Sequence, residues 1–342
     1  MLLPCALFAA GVLPSRGNAA WVYDVTGGAS GMWADQIGAY NELASPCAVL
    51  NTVFSYGGDM EWYADGGQTY FDEQSQEAAA AYGSLPGVEH LVAVVDGRMD
   101  GGEDWSPDLS TLTTAQVQQW ADTTAQIYCS FDTVDGLQID LEPMTGKYLP
   151  NLLVFLERLG QNLASSERHC VDDKHPDGRT LTTFGFAAAV TADVWKALGP
   201  NGYFTVSGYD LATTAPGVPN TVEEYTSKLT TALGEILELA NANNGSFIVG
   251  IPGAASTHEF ANYTTADGAV TQGYPQIQYV EAAVGALQAT VGSSPLYLGA
   301  ALWGFSSEMA YPPHSKNLFT PGTPFIDPAE QAYLQGNLCT SS

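Results

Sequence analysis

Three polar side chains alternate with apolar ones in a short stretch that has the composition of a β-strand. The polar residues are Gln138, Asp140 and Glu142, and Leu or Ile stands between them. Because successive side chains of a strand point to opposite faces, the three polar groups share one face. Two carboxyls on one face raise each other's pKa, and a raised glutamate pKa suits a general acid near neutral pH. The stretch is therefore a candidate centre of acid–base chemistry. The alternative is an edge strand with one solvent-exposed face, which would show the same pattern.

The whole chain alternates between β-like runs and helix-like stretches. The β-like runs are Trp21–Val25, Ala48–Phe54, His90–Val95, Val134–Glu142, Thr180–Ala187, Tyr203–Tyr209, Phe247–Pro252 and Leu296–Trp303. The helix-like stretches are Met32–Leu43, Glu73–Tyr82, Thr114–Tyr128, Leu149–Ser165, Ala192–Leu198, Val222–Ala242, Gln278–Ala289 and Pro328–Leu334.

Eight such alternations within the length of one domain favour a parallel α/β fold. No element is left over, which favours a closed barrel over an open doubly wound sheet, and no G-x-G-x-x-G sequence follows the first strand. We therefore predict a single-domain (β/α)8 TIM barrel over residues 21–342. The acidic stretch is its fourth strand, and Glu142 ends that strand at the C-terminal rim, where active sites of such barrels lie.

Acidic residues far outnumber basic ones. The formal net charge is -27, from 37 acidic and 10 basic residues. A chain this acidic is repelled by nucleic acid and by anionic membrane surfaces, so we expect neither as a partner. The charge indicates a neutral or cationic substrate, or only solubility. The five histidines show no metal-ligand spacing, and we predict neither a metal nor another cofactor.

Residues 1–20 have the features of a signal peptide. Leu2–Leu13 is apolar, and Gly17–Ala20 offers small residues for cleavage. The segment is too short to span a bilayer and no later stretch is long and apolar enough, so we expect a secreted protein. A basic start is missing, and the alternatives are a mis-assigned start codon or a buried first helix.

Four cysteines remain without that segment: Cys47, Cys129, Cys170 and Cys339. None lies in a C-x-x-C pair, so a zinc site is not expected, and an even number in a secreted chain suggests two disulfides. All four fall at the N-terminal face of the predicted barrel. Of the three possible pairings we predict Cys129–Cys170 and Cys47–Cys339, because the members of each pair flank neighbouring units.

The fourth strand also resembles a known motif. Asp135-Gly136-x-Gln138-x-Asp140-x-Glu142 is similar to the D-G-x-D-x-D-x-E motif of glycoside hydrolase family 18, the chitinases and endo-β-N-acetylglucosaminidases. Segments that resemble the family's sixth, seventh and eighth strands follow in order: Ser207–Asp210, Val249–Gly253 and Leu298–Trp303. The resemblance spans roughly residues 21–336 and implies the same barrel.

Two positions depart from the family pattern. The inner Asp of the motif is Gln138 here, so the family's usual proton-sharing pair of aspartates is incomplete on this strand. The third-strand Ser-x-Gly-Gly is replaced by Val95–Gly102, so no third-strand role is carried over.

The resemblance implies substrate-assisted catalysis, an exception to the scheme with two catalytic carboxylates. Glu142 would protonate the glycosidic oxygen and later activate water, while the sugar's own 2-acetamido oxygen attacks the anomeric carbon. Asp140 would orient the acetamide and stabilise the positive charge that it acquires. Tyr209 would hydrogen-bond to the acetamide carbonyl.

The resemblance also implies groups that hold the sugar. Asp210 would bind it near the cleavage point, and Trp303 would form an apolar floor under its ring. Tyr23, Tyr56, Trp62 and Phe186 lie near predicted strand ends and are candidates to line subsites. Packing in the core is the alternative for all of these aromatic residues, and capping of a turn is the alternative for Asp210.

The expected substrate is an oligosaccharide or polysaccharide that contains N-acetylglucosamine, bound by a monomer. Residues 253–295 leave little room for the α+β subdomain that many chitinases carry there, so we expect an open groove. The Tyr209-Asp210 pair favours a chitinase over an endo-β-N-acetylglucosaminidase. A non-catalytic lectin on the same fold, and a barrel hydrolase with ordinary two-carboxylate chemistry, are the alternatives.

Gln138 gives the first testable prediction. We expect its amide to donate a hydrogen bond to Asp140 without adding charge, so that Asp140 ionises more readily than it would beside a second Asp. Gln138→Asp should therefore shift the pH–rate profile rather than abolish activity. An unchanged profile would contradict this role.

Overall fold

The structure is a computed structural model that describes residues 13–14, 16–23, 33–63, 66–71, 80–100, 108–142, 144, 146–213, 218–253, 257, 259, 263–264, 270–271, 276–306 and 328–339. Its strands are β1 (Asn18–Tyr23), β2 (Leu50–Tyr63), β3 (Gly66–Phe71), β4 (His90–Arg98), β5 (Gly136–Glu142), β6 (Thr180–Phe186), β7 (Gly202–Ser207), β8 (Ser246–Pro252), β9 (Tyr263–Thr264), β10 (Val270–Thr271) and β11 (Tyr297–Ser306).

The helices lie between the barrel strands. They are α1 (Ala34–Leu43), α2 (Thr114–Tyr128), α3 (Leu149–Leu163), α4 (Ala192–Leu198), α5 (Val222–Asn243), α6 (Gln276–Thr290) and α7 (Pro328–Asn337). Residues 80–83 are also helical, while residues 73–79 of the predicted second helix lie outside the described residues. Within the described part of the chain, no helix is both long enough and apolar enough to cross a membrane.

Eight parallel strands close into a barrel. Their order is β1-β2-β4-β5-β6-β7-β8-β11, and β11 pairs back with β1. These strands arise from the eight predicted β-like runs in the same order, so the predicted (β/α)8 barrel is confirmed. The acidic stretch is β5, the fourth barrel strand.

The two faces of the barrel strands bury two apolar layers. The outer and larger layer lies between the strands and the helices. The inner layer fills the barrel, and its members are Ala19, Trp21, Phe54, Val92, Val94, Phe184, Tyr203, Tyr209, Ile248, Leu298 and Ala301. Because the inner layer is rich in aromatic rings toward the C-terminal end of the strands, the cleft at that end has an apolar base.

β2 extends well past its predicted end at Phe54 and pairs antiparallel with β3. Gly57 and Gly58 stand within it, and such a pair is typical of a turn, which is why the sequence predicted an earlier end. In the barrel Gly57 is required by packing, because a Cβ there would lie 2.9 Å from the Cβ of Ala93. The extension carries Asp59 to the C-terminal rim, in register with Asp96 of β4.

The barrel begins earlier than residue 21. Asn18, Ala19 and Ala20 form the first half of β1 and are buried. The Asn18 side chain donates to the carbonyl of Leu338 at 2.9 Å and to that of Cys47 at 3.1 Å. The barrel therefore includes residues 18–20 of the segment in which a leader was predicted, and residues 1–12 and 15 of that segment lie outside the described residues.

Both predicted disulfides are present. Cys47 is bonded to Cys339, and Cys129 is bonded to Cys170, each pair with Cα atoms 4.8 Å apart. The first bond joins the segment just before β2 to the segment just after α7. The second joins the end of α2 to the loop before β6.

The first Asp of the β5 motif has a structural role. Asp135 accepts from the Leu91 N–H at 2.7 Å, from His175 Nε2 at 2.9 Å and from Lys174 Nζ at 2.7 Å. The other nitrogen of the buried His175 ring lies 2.9 Å from Asp172. Burial raises the pKa of Asp135, but the bonds from His175, Lys174 and Leu91 outweigh it and hold the pKa below its usual value. The network fixes β5 to β4 at the N-terminal face.

This network generates a prediction on stability. Asp135→Asn should lower the free energy of unfolding by about 1–3 kcal/mol at pH 7, because it leaves buried donors poorly paired. The folded pKa is depressed, so the stabilisation is present above the unfolded pKa of about 3.9 and is lost as the pH falls through the folded value. Urea unfolding at pH 7 and pH 3 measures both effects.

Asp132→Asn is the matched control, because it makes the same change on an exposed side chain of the same loop. It should change the free energy of unfolding by less than about 0.5 kcal/mol. Equal effects of the two substitutions at pH 7 would contradict the structural role of Asp135.

Candidate active site

Three neighbouring strands place three aspartates side by side at the C-terminal end of the barrel. Asp59 of β2 is in register with Asp96 of β4, and Asp96 is in register with Asp140 of β5. We call these residues the aspartate row. One step further along the strands, Arg98 is in register with Glu142. In-register residues of parallel strands point to the same face, so the row faces the interior of the barrel mouth.

An open cleft lies over this row. It is lined by Trp21, Asp96, Asp140, Glu142, Phe184, Phe186, Tyr209, Asp210 and Trp303. The structure thus brings together six of the residues predicted from the sequence: Asp140, Glu142, Phe186, Tyr209, Asp210 and Trp303. Asp96, Trp21 and Phe184 were not predicted as site residues.

Stacked rings form one wall of the cleft. Tyr209 stacks on Trp303 with ring centroids 5.9 Å apart and on Phe184 at 6.2 Å, and the Trp21 ring meets Trp303 edge-on at 5.8 Å. We call Trp21, Phe184, Tyr209 and Trp303 the aromatic wall. Phe186 extends it outward, since its ring packs on Phe184 and is 41% exposed. A continuous aromatic surface beside carboxyl groups suits a ligand with one apolar face and several hydroxyls, such as a sugar ring.

Asp140 lies at the base of the cleft. Its Oδ1 is buried and has no hydrogen-bond partner among the described residues. Burial raises the pKa of Asp140 well above its usual value, and the neighbouring charges of Asp96 and Glu142 raise it further. A buried polar atom without a partner is costly, so its retention at this position points to a ligand that supplies the missing contact.

Glu142 stands at the mouth of the cleft, where its side chain is exposed. Partial burial of its carboxyl still raises the pKa of Glu142, Arg98 opposes the rise, and the charge of Asp210 adds to it. A carboxyl with a raised pKa that stays accessible can both give and take a proton near neutral pH.

Gln138 lies beneath the cleft and is fully buried. Its Oε1 accepts from Trp21 Nε1 at 2.5 Å and its Nε2 donates to Thr205 Oγ1 at 3.2 Å, and the Thr205 and Thr182 hydroxyls are 2.8 Å apart. We call these four residues the neutral network. The expectation that Gln138 donates to Asp140 is therefore wrong. The indole N–H can only donate, so it fixes the amide oxygen toward Trp21 and turns the amide nitrogen toward β7.

Of the three other aromatic residues predicted to line subsites, only Tyr56 has a described side chain, and it does not line the cleft. Tyr56 is buried and its hydroxyl donates to Asp59 Oδ2 at 2.6 Å, so it supports the aspartate row from below. The side chains of Tyr23, the last residue of β1, and of Trp62 in β2 lie outside the described residues.

Glu259 holds the backbone of Asp210 and was not predicted from the sequence. Asp210 has φ 53°, a left-handed conformation that non-glycine residues seldom adopt. The buried Glu259 carboxylate accepts from the Asp210 N–H and from the Leu211 N–H, each at 3.0 Å. The sequence does not indicate a role for Glu259, because the residue lies in the segment between β8 and α6, which has neither strand nor helix periodicity.

The acidic side chains that the structure describes are not grouped as metal ligands. No group of three or more His, Cys, Asp or Glu residues within the described ranges is arranged so that it could hold a metal ion.

Several solved structures are similar to this barrel. A chitinase from Chromobacterium violaceum is similar with a TM-score of 0.54, at 14% identity over 94% of this chain and 98% of that one. The structure of YKL-39 with chitooligosaccharides gives a TM-score of 0.55, at 11% identity over 92% and 98% of the two chains. The fold is like that of glycoside hydrolase family 18.

Glycoside hydrolases of another family have a similar barrel. A GH113 β-1,4-mannanase in complex gives a TM-score of 0.51, at 12% identity over 94% of this chain and 98% of that one. In sequence, the chain matches no family model and no curated protein. At these identities the likeness concerns the fold, so the function must be argued from the cleft itself.

The contact between Glu259 and Asp210 generates a prediction. Glu259→Gln keeps one acceptor oxygen and replaces the other by an NH2 group that faces an N–H donor. Loss of about 1.4 kcal/mol at this contact corresponds to a tenfold change in an equilibrium constant. Amide hydrogen exchange at Asp210 and Leu211 should therefore quicken about tenfold or more.

The matched control is Glu223→Gln, an exposed glutamate in the first turn of α5. Exchange at Asp210 should be the same in this variant as in the parent protein. Unchanged exchange in Glu259→Gln would mean that the turn holds its shape without this carboxylate.

Proposed function

We propose that the protein is a glycoside hydrolase that cleaves β-1,4 linkages in glycans containing N-acetylglucosamine, in the manner of a chitinase and with retention of configuration. One observation carries the proposal. The unpartnered carboxyl of Asp140 lies at the base of an aromatic-walled cleft, with the accessible carboxyl of Glu142 two residues further along the same strand face.

Glu142 is the proposed general acid and base. Its carboxyl stands at the cleft mouth with a raised pKa, so it holds a proton for the glycosidic oxygen at a higher pH than an ordinary glutamate. Once the leaving sugar has departed, the resulting carboxylate takes a proton from the incoming water. The same group thereby serves both halves of the reaction.

Asp140 is the proposed partner of the substrate's acetamide group. The acetamide oxygen attacks the anomeric carbon and forms an oxazolinium ion, and its N–H can donate to the unpartnered Asp140 oxygen. The negative charge of Asp140 then stabilises the positive ring. Because the site is partly shielded from water, this attraction is stronger than it would be in solution.

The aromatic wall is the proposed binding surface for the reacting sugar. Trp303 offers a partly exposed ring, backed by Tyr209 at 5.9 Å, and the hydroxyl of Tyr209 is the proposed donor to the acetamide carbonyl. Burial raises the pKa of Tyr209 well above its usual value, as do the charges of Asp140, Asp210 and Glu142, so the hydroxyl keeps its proton. Asp210, held by Glu259, is the proposed contact to a sugar hydroxyl.

Cleavage within long chains is the proposed mode of action. Between β8 and α6 the described residues form one short antiparallel pair, β9 with β10, and the cleft is open to solvent. The second candidate is an endo-β-N-acetylglucosaminidase that acts on N-glycans, which an open cleft would also admit. Asp210 next to Tyr209 favours the chitinase, as the sequence resemblance implies.

Secretion is part of the proposal. Two disulfides are typical of proteins that fold in an oxidising compartment. We propose that an apolar leader before Asn18 directs export, and that the mature barrel acts as a monomer outside the cell.

The test of the proposal uses Glu142→Gln. This substitution keeps shape and removes the proton, so turnover of chitin oligomers should fall about 10²–10⁴-fold. Glu157→Gln, the same change on an exposed side chain of α3, should leave turnover within twofold of the parent. Product release is measured by chromatography.

The substrates separate the alternatives. Release of sugars from chitin oligomers supports the proposed chitinase, and release from high-mannose glycoprotein alone supports the second candidate. Binding of either glycan without release supports a lectin. Hydrolysis that a thiazoline analogue of the N-acetylglucosamine intermediate does not inhibit would contradict substrate assistance and indicate ordinary two-carboxylate chemistry.

A further inference from the structure

Asp96 is the nearest carboxyl to Asp140 in the strand order. The two residues are in register on β4 and β5, with side chains on the same face, and neighbouring strands lie about 4.8 Å apart. Both residues line the cleft. No sequence motif links them, because they are separated by the whole of α2.

Two carboxyls so close and partly buried cannot both carry a charge without a large penalty. Burial raises the pKa of Asp96 to about 6, the Gly97 N–H opposes the rise, and the charges of Asp59 and Glu142 add to it. The pKa of Asp140 is raised well above its usual value, by burial, by the charge of Asp96 and by that of Glu142. Carboxyls that share a site in this way titrate as a pair.

The hydrogen bonds around the pair are unequal. Asp96 Oδ1 accepts from the Gly97 N–H at 2.7 Å, which stabilises its ionised form. The buried Oδ1 of Asp140 has no such donor among the described residues. A single proton therefore resides preferentially on Asp140 and leaves the charge on Asp96.

We infer that Asp96 is the proton partner of Asp140. The carboxyl of Asp96 on β4 can take up the Asp140 proton, whereas the amide of Gln138, at the inner position of β5, cannot. The pair holds one proton. When a positive charge forms in the cleft, the O–H bond on Asp140 breaks and an O–H bond on Asp96 forms. Asp140 becomes the anion that faces the cation, and no proton is exchanged with solvent.

The catalytic use of this proton transfer rests on the proposed function. The sharing of the proton between the two carboxyls does not. A neutral Asp140 suits binding of the uncharged substrate, and an ionised Asp140 suits the oxazolinium ion. Asp96 is thus a positioning residue for the proton, since it acts through Asp140. The proton sharing itself is a property of the protein without substrate.

The surroundings of the pair are mostly acidic. Asp59 faces it from β2, Glu142 from β5, and Asp210 from the loop after β7. Arg98 is the cation beside it on β4, and it also pairs with Asp100 at 2.7 Å. A further negative charge is therefore opposed at this position, which favours retention of one proton.

The decisive experiment is a carbon-13 NMR titration of protein labelled at the aspartate carboxyl carbons, with parent protein, Asp96→Asn and Asp140→Asn. Asp96→Asn removes a neighbouring charge, so the Asp140 midpoint should fall by at least about one pH unit. Asp140→Asn should move the Asp96 midpoint far less, because Asp96 ionises first, beside an Asp140 that is still neutral. If Asp96→Asn does not fold, Asp140→Asn still shows which of the two steps of the parent titration belongs to Asp140.

Asp59→Asn is the matched control, because it makes the same change in the aspartate row one strand further from Asp140. It should lower the Asp96 midpoint and move that of Asp140 by less than half as much as Asp96→Asn does. An Asp140 midpoint that stays within about 0.3 pH unit in Asp96→Asn would overturn the inference. An equal response to Asp59→Asn would also overturn it, because the charge would then be spread over the row.

The titration tests the proton pair and the activity assays test the proposed function, so that either claim can be refuted without the other. A lowered Asp140 midpoint in Asp96→Asn, in a protein that cleaves no glycan, would leave the proton pair standing and refute the proposed function. Cleavage of chitin oligomers without this shift would refute the proton pair and leave the proposed function standing. In an active enzyme, the acidic limb of the pH–rate profile should move to lower pH in Asp96→Asn, because Asp140 then ionises more easily.

Discussion

Carboxyl groups inside a barrel are expensive to bury, and this constraint shapes the site of the protein. The aspartate row lies just above an interior filled with aromatic and branched apolar side chains. Beneath Asp140, the polar groups that remain are uncharged. Trp21 donates to Gln138, Gln138 donates to Thr205, and the chain of hydrogen bonds ends at Thr182.

The neutral network explains why an amide at position 138 is compatible with the rest of the site. A carboxylate there would add a further negative charge below Asp96 and Asp140, where little water could solvate it. The amide instead satisfies the indole N–H of Trp21 and spans to β7 without charge. The hydrogen bond to Gln138 fixes the Trp21 ring, which packs edge-on against Tyr209 and Trp303 of the aromatic wall. One interaction therefore links the floor of the cleft to its wall.

Much of the fold was accessible from the sequence because it depends on local pattern. The apolar runs, the helical stretches between them and the acids at alternate positions of β5 are all short-range features, and they predicted the barrel and the meeting of Asp140 with Glu142. Both disulfides also followed, since each cysteine could be placed at one face of the barrel.

Other features depend on relations between distant segments. The role of Asp96 follows from the register of β4 against β5, and periodicity within one strand does not determine the register between two. The role of Glu259 depends on a loop that reaches the turn at Asp210. The orientation of Gln138 depends on Trp21, which is distant in sequence, so the hydrogen bond expected within β5 forms instead between strands.

The central claim is that the unpartnered Asp140 carboxyl receives the acetamide group of a sugar held on the aromatic wall. A crystal structure of the protein with an N-acetylglucosamine thiazoline tests it most directly. The account predicts the thiazoline nitrogen within about 3.2 Å of an Asp140 carboxyl oxygen, with the sugar ring on Trp303. A thiazoline bound with its nitrogen turned away from Asp140, or bound outside this cleft, would contradict it.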